Sequence, residues 1–239
     1  MSQPILETRA LRKSFGGVHA IDEVDFALEA GELRCLIGPN GAGKSTFFKM
    51  LTGQHPPSSG QILFEGRDIT RAGTHEIGRM GIGIKNQVPD VFDGLSVREN
   101  LTLAARFALA KPEARRKVDE VLEQLRLESV VGRLVGELAH GQRQWVEIGM
   151  VVAREPKLVL LDEPSAGMSA EETARTAELI REINRKASVI VVEHDMQFIR
   201  SIAKLVTVFH RGRILVEETV EKALADAQVR DVYLGRSAA

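Results

Sequence analysis

Three stretches of this chain have the residue types and spacings that handle phosphate. The first is Gly38-Pro39-Asn40-Gly41-Ala42-Gly43-Lys44-Ser45-Thr46, which fits G-x-x-x-x-G-K-[ST] between an apolar run and a segment of helical pattern. Gly38, Gly41 and Gly43 let the backbone curl until successive N–H groups face one anion. Lys44 adds a point charge for the β- and γ-phosphates, and Ser45 adds a hydroxyl for Mg²⁺. The second stretch runs from Leu158 to Glu163, an apolar strand that ends in two carboxylates. Asp162 is placed to hold Mg²⁺ through water, and Glu163, its neighbour in the chain, to polarise the attacking water as general base. Together these describe a site that hydrolyses a nucleoside triphosphate. The third stretch, "ELAHGQRQW" from Glu137 to Trp145, reads as a helix start beside Gly141, with an apolar stripe at Trp145, Ile148, Gly149 and Val152. A helix N-terminus presents unpaired N–H groups and partial positive charge, so it too suits phosphate. One chain thus carries two anion-binding features far apart in sequence.

The elements that position these groups follow from hydrophobic patterning. The first thirty residues alternate around "FGG" and "EAGE", which predicts antiparallel strands. "LRCLI" ahead of the glycine loop is a buried strand, "TFFKMLTG" a helix stopping at Gly53, and "GQILFEGRDI" a further strand region. From Ser96 to about Glu137 the pattern turns helical, opening on the capping box "SVRE" and continuing through "KPEARRKVDEVLEQLRL". Helix and strand alternate afterwards through "KLVLLDEP", "SVIVVEHD" and a helix from Met196 to Ala203, with a hairpin turning at His210 to Gly212. Strand–helix alternation around a phosphate loop predicts an α/β core with a parallel sheet.

Composition narrows the role. The 239 residues are 44% hydrophobic and 27% charged, as expected of a packed globular chain. Lys plus Arg, at 32, balances Asp plus Glu, at 33, so the bulk charge does not ask for nucleic acid or an anionic membrane surface. No uncharged apolar run reaches the ~20 residues that span a bilayer, so membrane contact is expected only through partners. The N-terminus lacks a signal-peptide pattern, and the lone Cys35, read as a buried small hydrophobe, fits a reducing cytoplasm.

Taken with "NQVPDVF", "SAGMS" and "VVEHDM", these stretches resemble, through nearly the whole chain, the ATP-binding subunits of ABC transporters. The resemblance implies one ABC ATPase domain over residues 1–239. Its nucleotide-binding core with an antiparallel β part would comprise 1–90 and 150–239, and its helical subdomain 91–149, ending in the signature motif. It implies ATP and Mg²⁺ as cofactors, with Gln87 as the Q-loop glutamine that touches Mg²⁺ and water, and His194 as the switch histidine. It assigns nucleotide contacts to Phe15, Val18 and each residue from Gly38 to Thr46. It also places "LAHGQ" (Leu138, Ala139, His140, Gly141 and Gln142) where the family carries LSGGQ. In that family two subunits bind head to tail, so the second anion site serves the neighbour's γ-phosphate. The other partners implied are two transmembrane permeases and, indirectly, a substrate-binding protein, at the cytoplasmic face of the cytoplasmic membrane.

Several positions depart from the family pattern or stay open. Ala139 replaces the signature serine, Asn86 stands where an aromatic often precedes the glutamine, and Ser169 replaces the D-loop aspartate. His140 occupies a signature glycine position and either lines the interface or touches phosphate. Phe15 either packs in the core or stacks on adenine. Ser169 with Glu172 also makes a helix capping box. "HGQRQWVEIGM", "DEPSAGMSAEET" and "RDVYLG" look like the importer ATPases of the branched-chain amino acid and urea/amide group. The alternative is a soluble ABC ATPase. A GTPase lacks its guanine-reading Asn-Lys-x-Asp run here, and a P-loop kinase leaves "LAHGQ" without a use.

Overall fold

A computed structural model of the chain describes residues 3–87 and 90–234. In chain order the elements are β1 (Leu6–Phe15), β2 (Val18–Leu28), β3 (Leu33–Ile37), α1 (Lys44–Leu51), β4 (Ser59–Phe64), β5 (Arg67–Asp68), α2 (Thr74–Arg79) and β6 (Ile82–Lys85). There follow α3 (Val97–Ala108), α4 (Lys111–Gln124), α5 (His140–Val152), β7 (Leu158–Asp162), α6 (Ala170–Asn184), β8 (Ser188–Val192) and α7 (Met196–Ile202). The chain closes with β9 (Leu205–His210), β10 (Arg213–Thr219), α8 (Val220–Ala225) and α9 (Ala227–Leu234).

Two sheets form, and their burial patterns explain why. Much of β2 alternates between buried and exposed positions, so it covers a core on one face only. It pairs antiparallel with β1, and the sheet runs β2-β1-β4-β5. In contrast β3, β7 and β8 are buried at every residue, as strands covered on both faces must be. They sit in the second sheet, of order β10-β9-β3-β8-β7-β6, where β9, β3, β8, β7 and β6 are parallel and β10 is an antiparallel edge. The β9–β10 hairpin turns through Arg211 and Gly212, both at positive φ, as a two-residue turn requires. The fold is thus the α/β type expected: a P-loop core with a parallel sheet, an antiparallel sheet and a helical layer.

The order β3-β8-β7 is the feature that matters for chemistry. These neighbouring parallel strands end on the same edge of the sheet, and their C-terminal continuations are the glycine loop, His194 and the Asp162–Glu163 pair.

Helices α3 and α5 both start on non-helical cap residues, but with different chemistry. Ser96 caps α3 through its hydroxyl, which accepts from the Glu99 amide at 3.3 Å, and Glu99 returns the bond to the Ser96 amide at 2.8 Å. Ala139, at the start of α5, has no side-chain acceptor to offer. Side chains of α3, α4 and α5, among them Leu101, Val121 and Ile148, belong to the same buried cluster as Val159 and Leu161 of β7. The opposite face of the sheet, with Leu158, Leu160 and Ile190, packs on Phe26, Phe47 and Phe64.

The sequence pattern marked neither α2 nor β6. Both are short, and β6 ends in a lysine that is wholly buried.

Close approach in the helical layer centres on Gly149 of α5. A Cβ there would lie 2.5 Å from Leu125 Cδ1 and 2.8 Å from Leu101 Cδ2. Gly149→Val is therefore expected to overpack the α3–α4–α5 contact and lower stability by about 1–3 kcal/mol, read as a lower urea midpoint. An unchanged midpoint would mean that these helices part without cost.

Candidate nucleotide site

The glycine loop leaves β3 under tight constraint. Gly38 has φ 145°, and a side chain there would collide with the backbone carbonyl of Phe209 on β9. Gly43, at φ 108°, would bring a Cβ to 2.7 Å from the Ala20 carbonyl of β2. Helix α1 starts at Lys44 with no side-chain cap and no acidic residue in its first turn, so its N-terminus keeps its positive potential. The Lys44 ammonium donates to the carbonyls of Gly38 at 2.6 Å and Pro39 at 3.1 Å. Burial pushes its pKa down, against the pull of the Glu163 and Asp162 carboxylates. Ser45 and Thr46 follow in the first turn, while Asn40 and Gly41 stand exposed and Ala42 is buried.

The carboxylates of β7 have different surroundings. Asp162 is 8% exposed, and among the described residues nothing donates a hydrogen bond to its carboxylate. Desolvation and the neighbouring Glu163 charge hold its pKa above the ordinary carboxylate value. Glu163 is bent into the left-handed region at φ 46°, a strained conformation for a residue with a side chain. Its two oxygens meet the other predicted catalytic groups: Gln87 Nε2 donates to Oε2 at 3.0 Å, and His194 Nδ1 lies 3.5 Å from Oε1. Gln87, Glu163 and His194 come from three separate loops and converge on one point.

A divalent cation fits only with help from a ligand. Among the described residues no group of three or more His, Cys, Asp or Glu side chains is placed to hold a metal. The Ser45 hydroxyl and the unbonded Asp162 carboxylate are oxygen donors of the kind Mg²⁺ takes, and phosphate oxygens are its usual further ligands.

Phe15 and Val18 face each other across the tip of the β1–β2 hairpin. They are 46% and 67% exposed, so Phe15 is no part of either core. Its ring makes an edge contact with His55 at 5.5 Å and carries the Lys13 ammonium 4.9 Å from its centroid. The hairpin also holds Ala20, whose carbonyl abuts Gly43, so an exposed aromatic stands beside the phosphate loop.

The segment Leu138 to Gln142 opens α5. Leu138 is buried, Ala139 and His140 are exposed, and the Gln142 side chain accepts from the Ala139 amide at 3.3 Å. Within the chain its neighbours are not the glycine loop. His140 Nε2 bonds the Ala166 carbonyl at 3.1 Å, and Gly141 lies against the carboxylate of Glu172, so a side chain there would meet it. Ser169 caps α6 in the expected box with Glu172.

Four groups near the site escaped the sequence reading. Glu193 is 1% exposed and accepts from the Ser165 hydroxyl at 2.5 Å, the Ser165 amide at 3.2 Å and the His194 amide at 3.0 Å. It thereby ties the start of "SAGMS" to the histidine loop. Tyr233 of α9 reaches the Gly38 backbone, with partial desolvation raising its pKa to about 12. Lys85 and Glu147 form a buried pair; burial pushes the lysine pKa down and the glutamate pKa up, and each charge partly offsets the shift of the other. Only long-range packing reveals these, because a lone charged residue in an apolar stretch does not name its partner.

Comparison with known proteins agrees with this geometry. The profile of the ABC transporter family matches residues 21–166. The chain is similar to the high-affinity branched-chain amino acid transport ATP-binding protein BraF of Pseudomonas aeruginosa, at 32% identity over 99% of this chain and 100% of that protein. It is also similar to the lipopolysaccharide export system ATP-binding protein LptB of Acidithiobacillus ferridurans, at 33% identity over 97% of each. Among solved structures, the ADP conformation of an ATP-binding cassette of an ABC transporter superposes with a TM-score of 0.87 at 28% identity, covering 98% of this chain and 100% of that one.

A partly desolvated carboxylate without a hydrogen-bond donor from the protein is a cost that a functional site carries and the fold does not need. Asp162→Asn is expected to raise the stability of the nucleotide-free protein by ~0.5–2 kcal/mol at neutral pH, while Mg²⁺ no longer strengthens nucleotide binding. Thermal melts and titrations with and without Mg²⁺ check both. A less stable variant with intact Mg²⁺ dependence would move the metal away from Asp162.

Proposed function

The chain belongs to the ABC transporter ATP-binding family, and we propose that it is the ATP-hydrolysing subunit of an importer for branched-chain amino acids or for urea and short amides. Each ATP is held between the glycine loop of one subunit and the α5 N-terminus of a second. The observation that carries this reading is the state of α5. Its first turn lacks a side-chain cap at Ala139, and its in-chain contacts are Ala166 and Glu172 rather than the chain's own glycine loop. Unpaired N–H groups in a first turn that makes no contact with the home glycine loop suit a neighbour's phosphate.

The geometry supports a role for each residue. Glycine-loop amides and Lys44 cradle the phosphates, Ser45 and Asp162 hold Mg²⁺, and the adenine stacks on exposed Phe15 with Val18 beside it. Glu163 takes the proton of the attacking water. Gln87 and His194 sit on its two oxygens, where each orients the carboxylate and meets the water or the γ-phosphate.

A partner in the membrane is supported by a cleft of about 310 Å³ between β6 and α3, lined by Asn86, Phe92, Leu103, Phe107 and Arg154. Phe92, Leu103 and Phe107 are 55%, 50% and 42% exposed, an apolar patch that a monomer does not need. It begins one residue from Gln87, so a permease segment pressed into it would sense the nucleotide site directly. No helix among the described residues is long and apolar enough to cross a membrane. The subunit would then work at the cytoplasmic face through two permeases, fed indirectly by a substrate-binding protein. Cargo choice lies with those partners, which accords with similar identity to an amino-acid transport subunit and a lipopolysaccharide export subunit.

The shared site is tested by mixing two defective chains. Lys44→Ala removes the cradle charge. Ala139→Asp supplies a good N-cap, so α5 should fold at least as well, but sets a negative charge against the incoming phosphate. Each alone is expected to fall to roughly a hundredth of wild-type turnover or less. A mixture should regain activity, because one intact site forms from the glycine loop of the Ala139→Asp chain and the α5 terminus of the Lys44→Ala chain. A silent mixture in which the mixed dimer nonetheless forms would contradict the shared site.

A further inference from the structure

The buried pair of Lys85 and Glu147 has no part in the roles above, and its contacts are unusually directed. The two side chains are 0% and 4% exposed, with Nζ and Oε2 3.6 Å apart. Two charges withdrawn from water cost more than they return unless further contacts fix them. The Lys85 ammonium donates to the Asn86 carbonyl at 2.9 Å and reaches the Asp162 carbonyl at 3.4 Å. Glu147 Oε1 accepts from the Asp90 amide at 3.1 Å, while Oε2 makes no hydrogen bond and lies 3.6 Å from the lysine ammonium.

These contacts have a plain geometric meaning. Lys85 holds the backbone one residue before Gln87, and Glu147 holds it at Asp90, beyond Gln87. The third contact lands on the strand residue that precedes Glu163. Glu147 itself lies on α5, seven residues after His140, or roughly 10 Å along a stiff helix from the segment that reads the neighbour's phosphate. One ion pair thus touches both flanks of Gln87, the carboxylate strand and the signature helix.

We propose that the Lys85–Glu147 pair is a positioning strut that ties the placement of Gln87 to that of α5. Nucleotide occupancy, by drawing the Gln87 amide off Glu163, shifts the signature end of α5 with it. The strut rests on the nucleotide-site reading above. An apolar contact in its place would allow α5 to slide, whereas a charge pair with directed hydrogen bonds has a few discrete arrangements.

The chain reports on itself. Trp145, the single tryptophan, lies on α5 two residues before Glu147. Its indole N–H donates to Thr176 Oγ1 at 2.9 Å, and the Arg175 guanidinium sits 3.9 Å from its ring, both on α6. Any shift of α5 against α6 alters that environment. The experiment titrates full-length wild type and Lys85→Met/Glu147→Met with Mg-ATP, reading Trp145 fluorescence and, independently, heat of binding. The double variant removes both charges and so leaves none orphaned. It should bind ATP within about twofold of wild type, as expected for residues that do not touch the ligand, and its Trp145 response should be lost. A pair that is merely structural would move the melting temperature alone.

A double variant that binds ATP with the wild-type fluorescence change overturns the strut. So does a wild-type Trp145 that stays silent at saturating ATP. Should the double variant not fold, Glu147→Gln decides in its place, since it keeps the side chain's shape and an acceptor for Asp90. Loss of its response supports the strut, and a wild-type response overturns it. A wild-type chain that binds no ATP would instead bring down the nucleotide-site reading beneath it.

Discussion

A strand that is apolar on both faces and then carries two carboxylates can be satisfied in one kind of place, the end of a covered parallel sheet. Strand β7 is that strand, and the rest of the molecule is arranged around its C-terminal edge. Layers on both faces bury Leu158 to Leu161 completely. Burial fixes the backbone to a precision that the C-terminal end inherits, so Asp162 and Glu163 are delivered to a defined point. The neighbouring strands β8 and β3 bring His194 and the glycine loop to the same edge because they run parallel to β7. The cost is local: a desolvated Asp162 without donors, and Glu163 held at positive φ. Hydrophobic burial elsewhere offsets it.

Much of this was legible because it follows local rules. The glycine loop, the fully apolar β3 and β7, the hairpin at His210 to Gly212 and the capping boxes at Ser96 and Ser169 each announce themselves within a few residues. What stayed hidden depends on contacts across the chain. Strand β6 was not marked because it is four residues long and ends in Lys85, whose charge hides a buried position until its partner on α5 is known. Glu193 in sequence is one polar residue after an apolar run; only the fold places Ser165 and His194 around it. Phe15 fits a core strand as well as a ligand platform in sequence, and its 46% exposure takes it out of the core.

The same contrast separates the two anion sites. The glycine loop is complete within its own chain, with Lys44 folded over its carbonyls. The α5 terminus is not closed by its own glycine loop: Ala139 cannot cap it, Gln142 turns its carbonyl oxygen back to the Ala139 amide, His140 is engaged with Ala166, and the Glu172 carboxylate lies against Gly141. A helix end without a side-chain cap keeps unpaired N–H groups and positive potential, which is the basis of the proposed contact with a neighbour's phosphate. In the proposed shared site, charge from the bound nucleotide is the link between subunits, and removal of the γ-phosphate by hydrolysis is the means of breaking it.

On the proposed function, bound ATP itself joins two chains. The solution mass of Glu163→Gln tests this: the variant keeps the size of the side chain while losing the proposed general base, so turnover is expected to fall by ~10²–10⁴ and the ATP state to persist. Light scattering on the purified chain should give the mass of one subunit without nucleotide and of two with Mg-ATP, returning to one when ADP replaces it. A variant that binds Mg-ATP yet keeps the mass of a single chain, while wild type hydrolyses ATP as a monomer, would contradict the account.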